Sequence, residues 1–547
     1  MNDTVKRKDL ITAVVVTVIV NIIVIVGLYF HEPWFDEAQA YLIARDSSLH
    51  DIILHWTHYE GHPPLWHLLL KCGITIGLPF ETALKLLNLI FVEAVLLMIE
   101  FFSPFSRITK IMIPASFYLL YQYSVVSRPY MMLLFACLLA AVFYGKRYEK
   151  PMRYTAALLF MCLTHSYGLA FAGGIIIADM AGEAIRERSV GKMAARIIKC
   201  KKLLVCYVFL LMGALAIIAE IMPYSDTFAM NRVVASDNKG FFACYLLSWL
   251  FIPSENLVTS FSSEIMYMSE EANPISELIA AGIISLIIWT ILFMICKKRR
   301  MLSEMFIPYA CIAVLTSMYI KPHHFGIFIM YMLFVLWTAA EKERITLSEF
   351  TEPIKKAGMS EKMSRGIVLT AVIVFSAVNV FWNGMSYYNE IKKVYDPASS
   401  LAQWIKKYDL QDRTLLTTWE KSDPHIFNGA SVASNAYFDK NIYYNMYNGL
   451  SFLSHVVCTE DVFAEEAKEI SLHGAPDFMI CDVPVETSYV CETLGFNEKY
   501  IAIAFTGVGD RIFKDKTDKT DIYVMCTAET YRELYGKDYE VQTYKNS

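Results

Sequence analysis

Apolar runs of roughly 17 to 25 residues, the length that crosses a hydrocarbon core, recur in this chain from Leu10 to about residue 383 and then stop. No other feature narrows the fold so far, because a chain with many such runs has to bury them in a bilayer. Composition agrees: 55% of the residues are hydrophobic and the mean hydropathy is +0.38, which excludes an ordinary soluble enzyme. The expected fold is a polytopic α-helical membrane protein with roughly ten to thirteen transmembrane helices over 1–383. A small α/β domain is expected over 384–547.

The charge pattern sets a topology. The start "MNDTVKRKD" precedes "LITAVVVTVIVNIIVIVGLYF", whose apolar core is too long for a cleaved signal and has no small-residue cleavage site. It reads as a retained first helix with a cytoplasmic N-terminus. Basic clusters at 106–110, 146–153, 186–202, 297–300 and 341–365 then mark cytoplasmic turns. The outer side receives a first loop over about 31–61, "SVVSRPY", "THSYG", a second large loop over about 222–275, "KPHHFG" and the C-terminal domain. On this reading the run 153–181 is two short crossings that turn at His165, and short or broken helices line cavities. The runs 62–80 and 82–102 look like two crossings where parity allows one, so either the first is re-entrant or "SRITK" is outside. Net charge is −5 and the basic residues are scattered between apolar runs, so nucleic acid is excluded as a partner. Membrane lipids are the expected surroundings, in a multi-pass protein of the cell membrane.

After the last run the periodicity changes. "SSLAQWIKKYDL" and "DVFAEEAKEISLHG" have helical spacing, while "RTLLTTW", "DFMICDV", "YIAIAFTG" and "DIYVMCTA" read as strands. "TGVGD" at 506–510 reads as a turn, lacking the third glycine of a nucleotide loop. Cys458, Cys481, Cys491 and Cys526 allow three disulfide pairings. The aromatic stretch "NAYFDKNIYYNMYNG" is either a sugar-contacting surface or core.

The chemistry-bearing residues concentrate on the outer side. "HEPWFDEAQAYLIARD" puts Asp36 and Glu37 just after the first membrane helix, and Arg45 is expected to pair with a nearby carboxylate. His31, His50, His55, His58, His62 and His67 crowd into the same region with Glu32 and Glu60. The topology adds Arg128 and Tyr130 from "SRPY", His165 from "THSYG", and Lys321, His323 and His324 from "KPHH". Ionisable groups at membrane depth face a cavity or a partner, and a cation opposite carboxylates can hold a lipid-borne phosphate.

The order "DEA", "GHPPLW", "SRPYMMLLF", "THSYGL" on a polytopic chain resembles the family-39 glycosyltransferases of the GT-C superfamily, relatives of the protein O-mannosyltransferases and the aminoarabinose transferase. The likeness covers residues 1 to about 340 and is strongest over 31–66 and 124–168. It implies a GT-C fold and a polyprenyl-phosphate-linked sugar as donor. It also implies an acceptor hydroxyl on a protein, lipid or cell-wall glycan, and an inverting displacement with Asp36 as general base, beside Glu37. Arg128, Tyr130, Lys321 and His323 would bind the donor phosphate, and Glu60, His62 and His165 the substrate. The sequence departs from the family where an Arg-rich late loop is replaced by "KPHHFG", since Lys neutralises phosphate without the fork of Arg. No cofactor is certain. A divalent metal is a further option with Glu60, His62 and His165 as ligands, although no spacing matches a closed structural zinc site. The alternative function is a polytopic transporter or lipid flippase, in which ionisable groups sit near the midplane between symmetric halves.

Overall fold

The computed structural model describes residues 3–227, 240–261, 275–420 and 423–539. The chain is mostly helical. Among the described residues, seven helices are long and apolar enough to cross a membrane: Asp9–Phe30, Phe80–Phe102, Ser166–Glu187, Lys201–Ile221, Ile275–Lys298, Pro322–Lys342 and Glu361–Lys392. Three shorter apolar helices, Tyr130–Tyr144, Phe241–Leu250 and Leu302–Met318, stand beside them. Most of Pro322–Lys342 is enclosed, with 78% of its most apolar window buried, against 22% for Asp9–Phe30 and 17% for Glu361–Lys392. The first is therefore a central post, and the other two present Leu, Ile and Val outward as a lipid-facing surface.

Local chemistry sets the breaks between helices. The run 153–181 divides at His165, whose extended backbone (φ −164°, ψ 151°) ends the helix Pro151–Thr164 and starts Ser166–Glu187. The run 62–80 yields only Leu65–Thr75, which at roughly 16 Å is too short to cross alone. Gly174 lets Ser166–Glu187 lie directly against Pro308 of Leu302–Met318, since an added Cβ would stand 2.6 Å from the Pro308 Cα. The stretch 222–275 differs from the single loop expected, because it contains the apolar helix Phe241–Leu250; its segments 228–239 and 262–274 lie outside the described residues.

The helix Glu361–Lys392 carries the last apolar run past residue 383, so the C-terminal domain starts at Lys393. Its four-stranded sheet has the order Leu415–Thr417, Phe478–Cys481, Lys516–Cys526, Ala502–Phe513. The first pair is parallel, with Leu415 opposite Phe478, and the other two are antiparallel. "TGVGD" is not a turn but the middle of the strand Ala502–Phe513. Its glycines answer to packing: a Cβ on Gly509 would lie 2.6 Å from Pro397 Cδ, where the strand crosses the exit of the last long helix. All twelve cysteines are free thiols. Tyr443 and Phe438 of the aromatic stretch are buried, so it serves as core.

The domain does not stand apart. Ala398, Leu401, Leu416, Ile480 and Val524 share one hydrophobic core with Ala38, Leu42, Trp66, Leu70 and Leu84 of the first loop and the helices after it. The hairpin tip enters the helical body, where Phe513 packs edge-on to Phe117 at 5.4 Å. Lys514, fully buried, donates to the carbonyls of Glu255 and Thr259, stands 3.7 Å from the Glu255 carboxylate and lies over the Trp382 ring. Removing one member of such a buried pair typically costs about 3–5 kcal/mol, because the other charge is left uncompensated. Lys514→Met should therefore lower the thermal midpoint of the purified protein and open the 511–518 hairpin to protease. Wild-type protection of that hairpin would refute the anchoring role.

Candidate functional site

Asp36 and Glu37 open the helix Phe35–Asp46 and, as successive helical residues, project roughly 100° apart. That angle sends them to different environments. Glu37 is fully buried, with Oε2 accepting from the Trp34 N–H at 3.2 Å and lying 2.9 Å from His31 Nε2. Its Oε1 accepts the Ser127 N–H at 2.6 Å. His31 Nδ1 lies 3.0 Å from Glu390 Oε1, which also accepts from the Tyr121 hydroxyl at 2.6 Å. Burial alone would lower the His31 pKa, but the Glu390 and Glu37 charges and hydrogen bonds outweigh it and raise it to about 10.

Asp36 faces the other way, onto a cavity of about 1840 Å³. Glu37 positions its neighbour indirectly: the Ser127 N–H it holds fixes the turn that leads into Tyr130–Tyr144, and the next residue, Arg128, reaches Asp36. Arg128 Nη1 donates to the Asp36 carbonyl at 2.6 Å and stands 3.5 Å from its carboxylate.

The cavity gathers most of the residues singled out in the sequence. Asp36, Glu60, His62, Arg128, His165, Lys321 and His323 line it, whereas Glu37 and Tyr130 do not. Tyr130 is buried behind the wall, stacked on Tyr123 with ring centres 4.7 Å apart and 5.3 Å from the His165 ring. The His62 and His165 rings lie 4.3 Å apart. His165 Nδ1 accepts the Tyr167 N–H, while its buried Nε2 has no hydrogen-bond partner. Burial, reinforced by the Arg128 charge, lowers the pKa of His62 and favours its neutral ring.

The turn that carries Lys321 and His323 is built tightly. Tyr118 donates to the Pro322 carbonyl, Tyr123 donates to the His323 carbonyl at 2.6 Å, and His324 Nδ1 accepts the Lys321 N–H at 3.0 Å. A Cβ on Gly326 would overlap the Tyr123 hydroxyl and the Tyr118 ring, so only glycine fits there.

Glu60 is held from the C-terminal domain. It accepts from Gln39 Nε2 at 2.9 Å and lies 3.4 Å from His455 Nε2, and Gln39 also exchanges hydrogen bonds with the Leu453 backbone. Burial opposes its ionisation, but the His455 hydrogen bond and charge, with His67 and Gln39, keep the carboxyl below its usual range. Glu60 is thus engaged away from the His62–His165 pair. Among the described residues no group of three or more His, Cys, Asp or Glu stands close enough to hold a metal ion. The other histidines of the first loop disperse: His50 is exposed beside Asp51, His58 stacks on Tyr224 at 4.0 Å, and His67 is buried. Arg45 pairs with its neighbour Asp46 and donates to the Asn435 and Phe438 carbonyls.

Sequence reasoning missed His455, Arg511 and Lys516, which reach the cavity from the C-terminal domain. No local pattern marks them, since they arrive by folding over some four hundred residues of chain. The cavity continues between Ser166–Glu187, Lys201–Ile221 and Leu302–Met318 as an apolar groove lined by Ala170, Gly174, Ile177, Leu211, Ala214 and Leu315.

A raised His31 pKa makes its contribution to stability pH-dependent. The folded state holds the proton more tightly than the unfolded one, so this stabilisation is complete below about pH 6.5 and is lost as pH rises toward about 10. The stability advantage of wild type over His31→Gln should shrink across that window by at most about 1.4 kcal/mol per pH unit. Thermal unfolding of both proteins between pH 6 and pH 10 measures it, and a constant difference would disprove the charged bridge.

Comparison with protein-family models, with curated proteins and with solved structures found no match.

Proposed function

We propose that this chain is a membrane glycosyltransferase of the GT-C type that moves a sugar from a polyprenyl-phosphate donor to an acceptor hydroxyl on the outer face of the membrane. The observation that carries the reading is the form of the cavity. One continuous space joins a polar end holding Asp36, Arg128, Lys321 and His323 to a long apolar groove between helices. Its volume of about 1840 Å³ exceeds the ~300–1,000 Å³ of ordinary small-molecule pockets, and suits a lipid chain together with a second substrate.

In the proposed reaction the Asp36 carboxylate takes the proton from the acceptor hydroxyl as its oxygen bonds to the anomeric carbon. The bond from that carbon to the phosphate oxygen breaks, and polyprenyl phosphate leaves with the electron pair. Inversion puts base and leaving group on opposite faces of the sugar. Arg128 stands on the base's side, 3.5 Å from the Asp36 carboxylate, where it orients that group. Lys321 then supplies the positive charge that the departing phosphate needs, with His323 beside it as a neutral hydrogen-bonding group. Glu37, with both oxygens engaged, supports the loop rather than touching substrate.

The length of the groove also favours a second reading. It runs from Ser166 to Met180 along one helix, roughly 20 Å, which would suit passage of a lipid across the bilayer. A panel of polyprenyl-phosphate sugars offered to the purified protein separates the two. Wild type should release lipid phosphate, and Asp36→Asn should be slower by about 10²–10⁴-fold with donor binding retained. Flux of intact lipid in sealed vesicles without bond cleavage, or an unimpaired Asp36→Asn, would reject the transferase.

A further inference from the structure

The C-terminal hairpin brings a cation to the cavity that neither the membrane helices nor the first loop could supply. Arg511 lies on the strand Ala502–Phe513, just before the half-buried Phe513 and the buried Lys514 of the tip. Its position is fixed from both sides. Asp510 accepts from Lys393 Nζ at 2.5 Å and donates its backbone N–H to the Val394 carbonyl, while Lys514 is tied to Glu255 and Thr259. A side chain so placed is presented to the cavity by the fold rather than by its own flexibility.

Arg511 lies over the indole of Trp34, its Cζ 4.8 Å from the ring centre, and both residues line the cavity. This cation–π contact holds the guanidinium beside the indole. Among the described residues the Arg511 Nε–H and the Trp34 Nε1–H, both buried, have no acceptor. Buried donors left unpaired are costly and uncommon, and two on stacked neighbours can be satisfied together by one oxyanion. Arg511 pairs through Nη2 with Asp518 at 2.6 Å, but the Asp518 side chain is 72% exposed, a weak, solvent-screened contact that an anion could displace. Lys516 adds a second cation to the same wall. Trp34 is two residues from Asp36, so an anion held here lies beside the proposed base.

We infer that Arg511 and Trp34 form an oxyanion-binding subsite at the mouth of the cavity, which holds a carboxylate or phosphate group of the acceptor. Assigning the anion to the acceptor rests on the transferase reading; the binding of the anion does not. The subsite makes the C-terminal domain a substrate-reading part of the site and narrows the acceptor to molecules that carry an acidic group near the reacting hydroxyl.

The test is equilibrium titration of the full-length protein in detergent with glucuronate, glycerol 1-phosphate and glucose, followed by saturation-transfer NMR. At least one of the two anions should bind better than glucose, and which one does distinguishes a carboxylate from a phosphate. Arg511→Gln should weaken that binding by about tenfold or more, as expected when a charge-assisted pair is lost, while leaving polyprenyl phosphate binding at its wild-type value. Asp518→Asn, a change at an exposed side chain, should tighten it roughly two- to fivefold by freeing the guanidinium. That gain cannot come from misfolding. The inference is overturned if neither anion is preferred to glucose, or if the two variants bind as wild type does. Failure of the transferase reading shows separately, as donor turnover that Asp36→Asn leaves intact.

Discussion

An imidazole buried between two carboxylates is expensive to form and, once formed, dictates what surrounds it. His31 occupies that position between Glu37 and Glu390. The three residues come from three elements: His31 follows the first membrane helix, Glu37 opens the first-loop helix and Glu390 ends the last long helix, 359 residues after His31. Because desolvated charges have to be matched by short hydrogen bonds, these elements are held in one arrangement. The Ser127 N–H and the Tyr121 hydroxyl add to the shell, while the buried Glu390 Oε2 has no hydrogen-bond partner among the described residues. The cavity wall that carries Asp36 and Arg128 is attached directly to this bridge.

The bridge also explains why the chain places two acidic residues side by side. Glu37 is spent on structure, and its burial fixes the backbone to which Asp36 belongs. Asp36 keeps partial exposure, with 26% of its side chain accessible, and meets the Arg128 guanidinium at 3.5 Å. A carboxylate used as a base needs lone pairs free of strong donors, while a carboxylate used as an anchor needs them filled. Sequence adjacency thus yields opposite environments through helical geometry alone.

The apolar runs, the helix break at His165 and the four strand segments of the tail were legible in the sequence, because each follows from local periodicity or backbone chemistry. Asp36, His62, Arg128, His165, Lys321 and His323 do line one cavity, and each stands where an apolar run begins, breaks or ends. What escaped were effects of long-range packing. "TGVGD" looks like a turn by composition, yet its glycines are required by the approach of Pro397. The crowd of histidines in the first loop reads as one cluster, but the fold sends His31, His58 and His62 to three separate environments. The helix Phe241–Leu250 was hidden inside an expected loop because it is shorter than a membrane crossing.

The largest gap concerned the tail, which reads as an appended domain and is built as part of the body. Its sheet shares a core with Ala38, Leu42 and Trp66, its Leu453 loop is paired with Gln39, and its hairpin ends on a buried lysine. The first two contacts touch the first loop or the helices next to it, and the lysine ties the hairpin to Glu255 and Thr259, so the shape of the cavity mouth depends on the tail being docked. Two kinds of rigidity therefore meet around Asp36. The charged bridge at His31 fixes the helix from the membrane side, and the shared core fixes it from the domain side. A loop held from only one side would let the carboxylate drift by an ångström or more, enough to spoil a positioned proton transfer. Fusing the tail to the loop removes that freedom, and the same fusion carries Arg511 and His455 to the cavity wall.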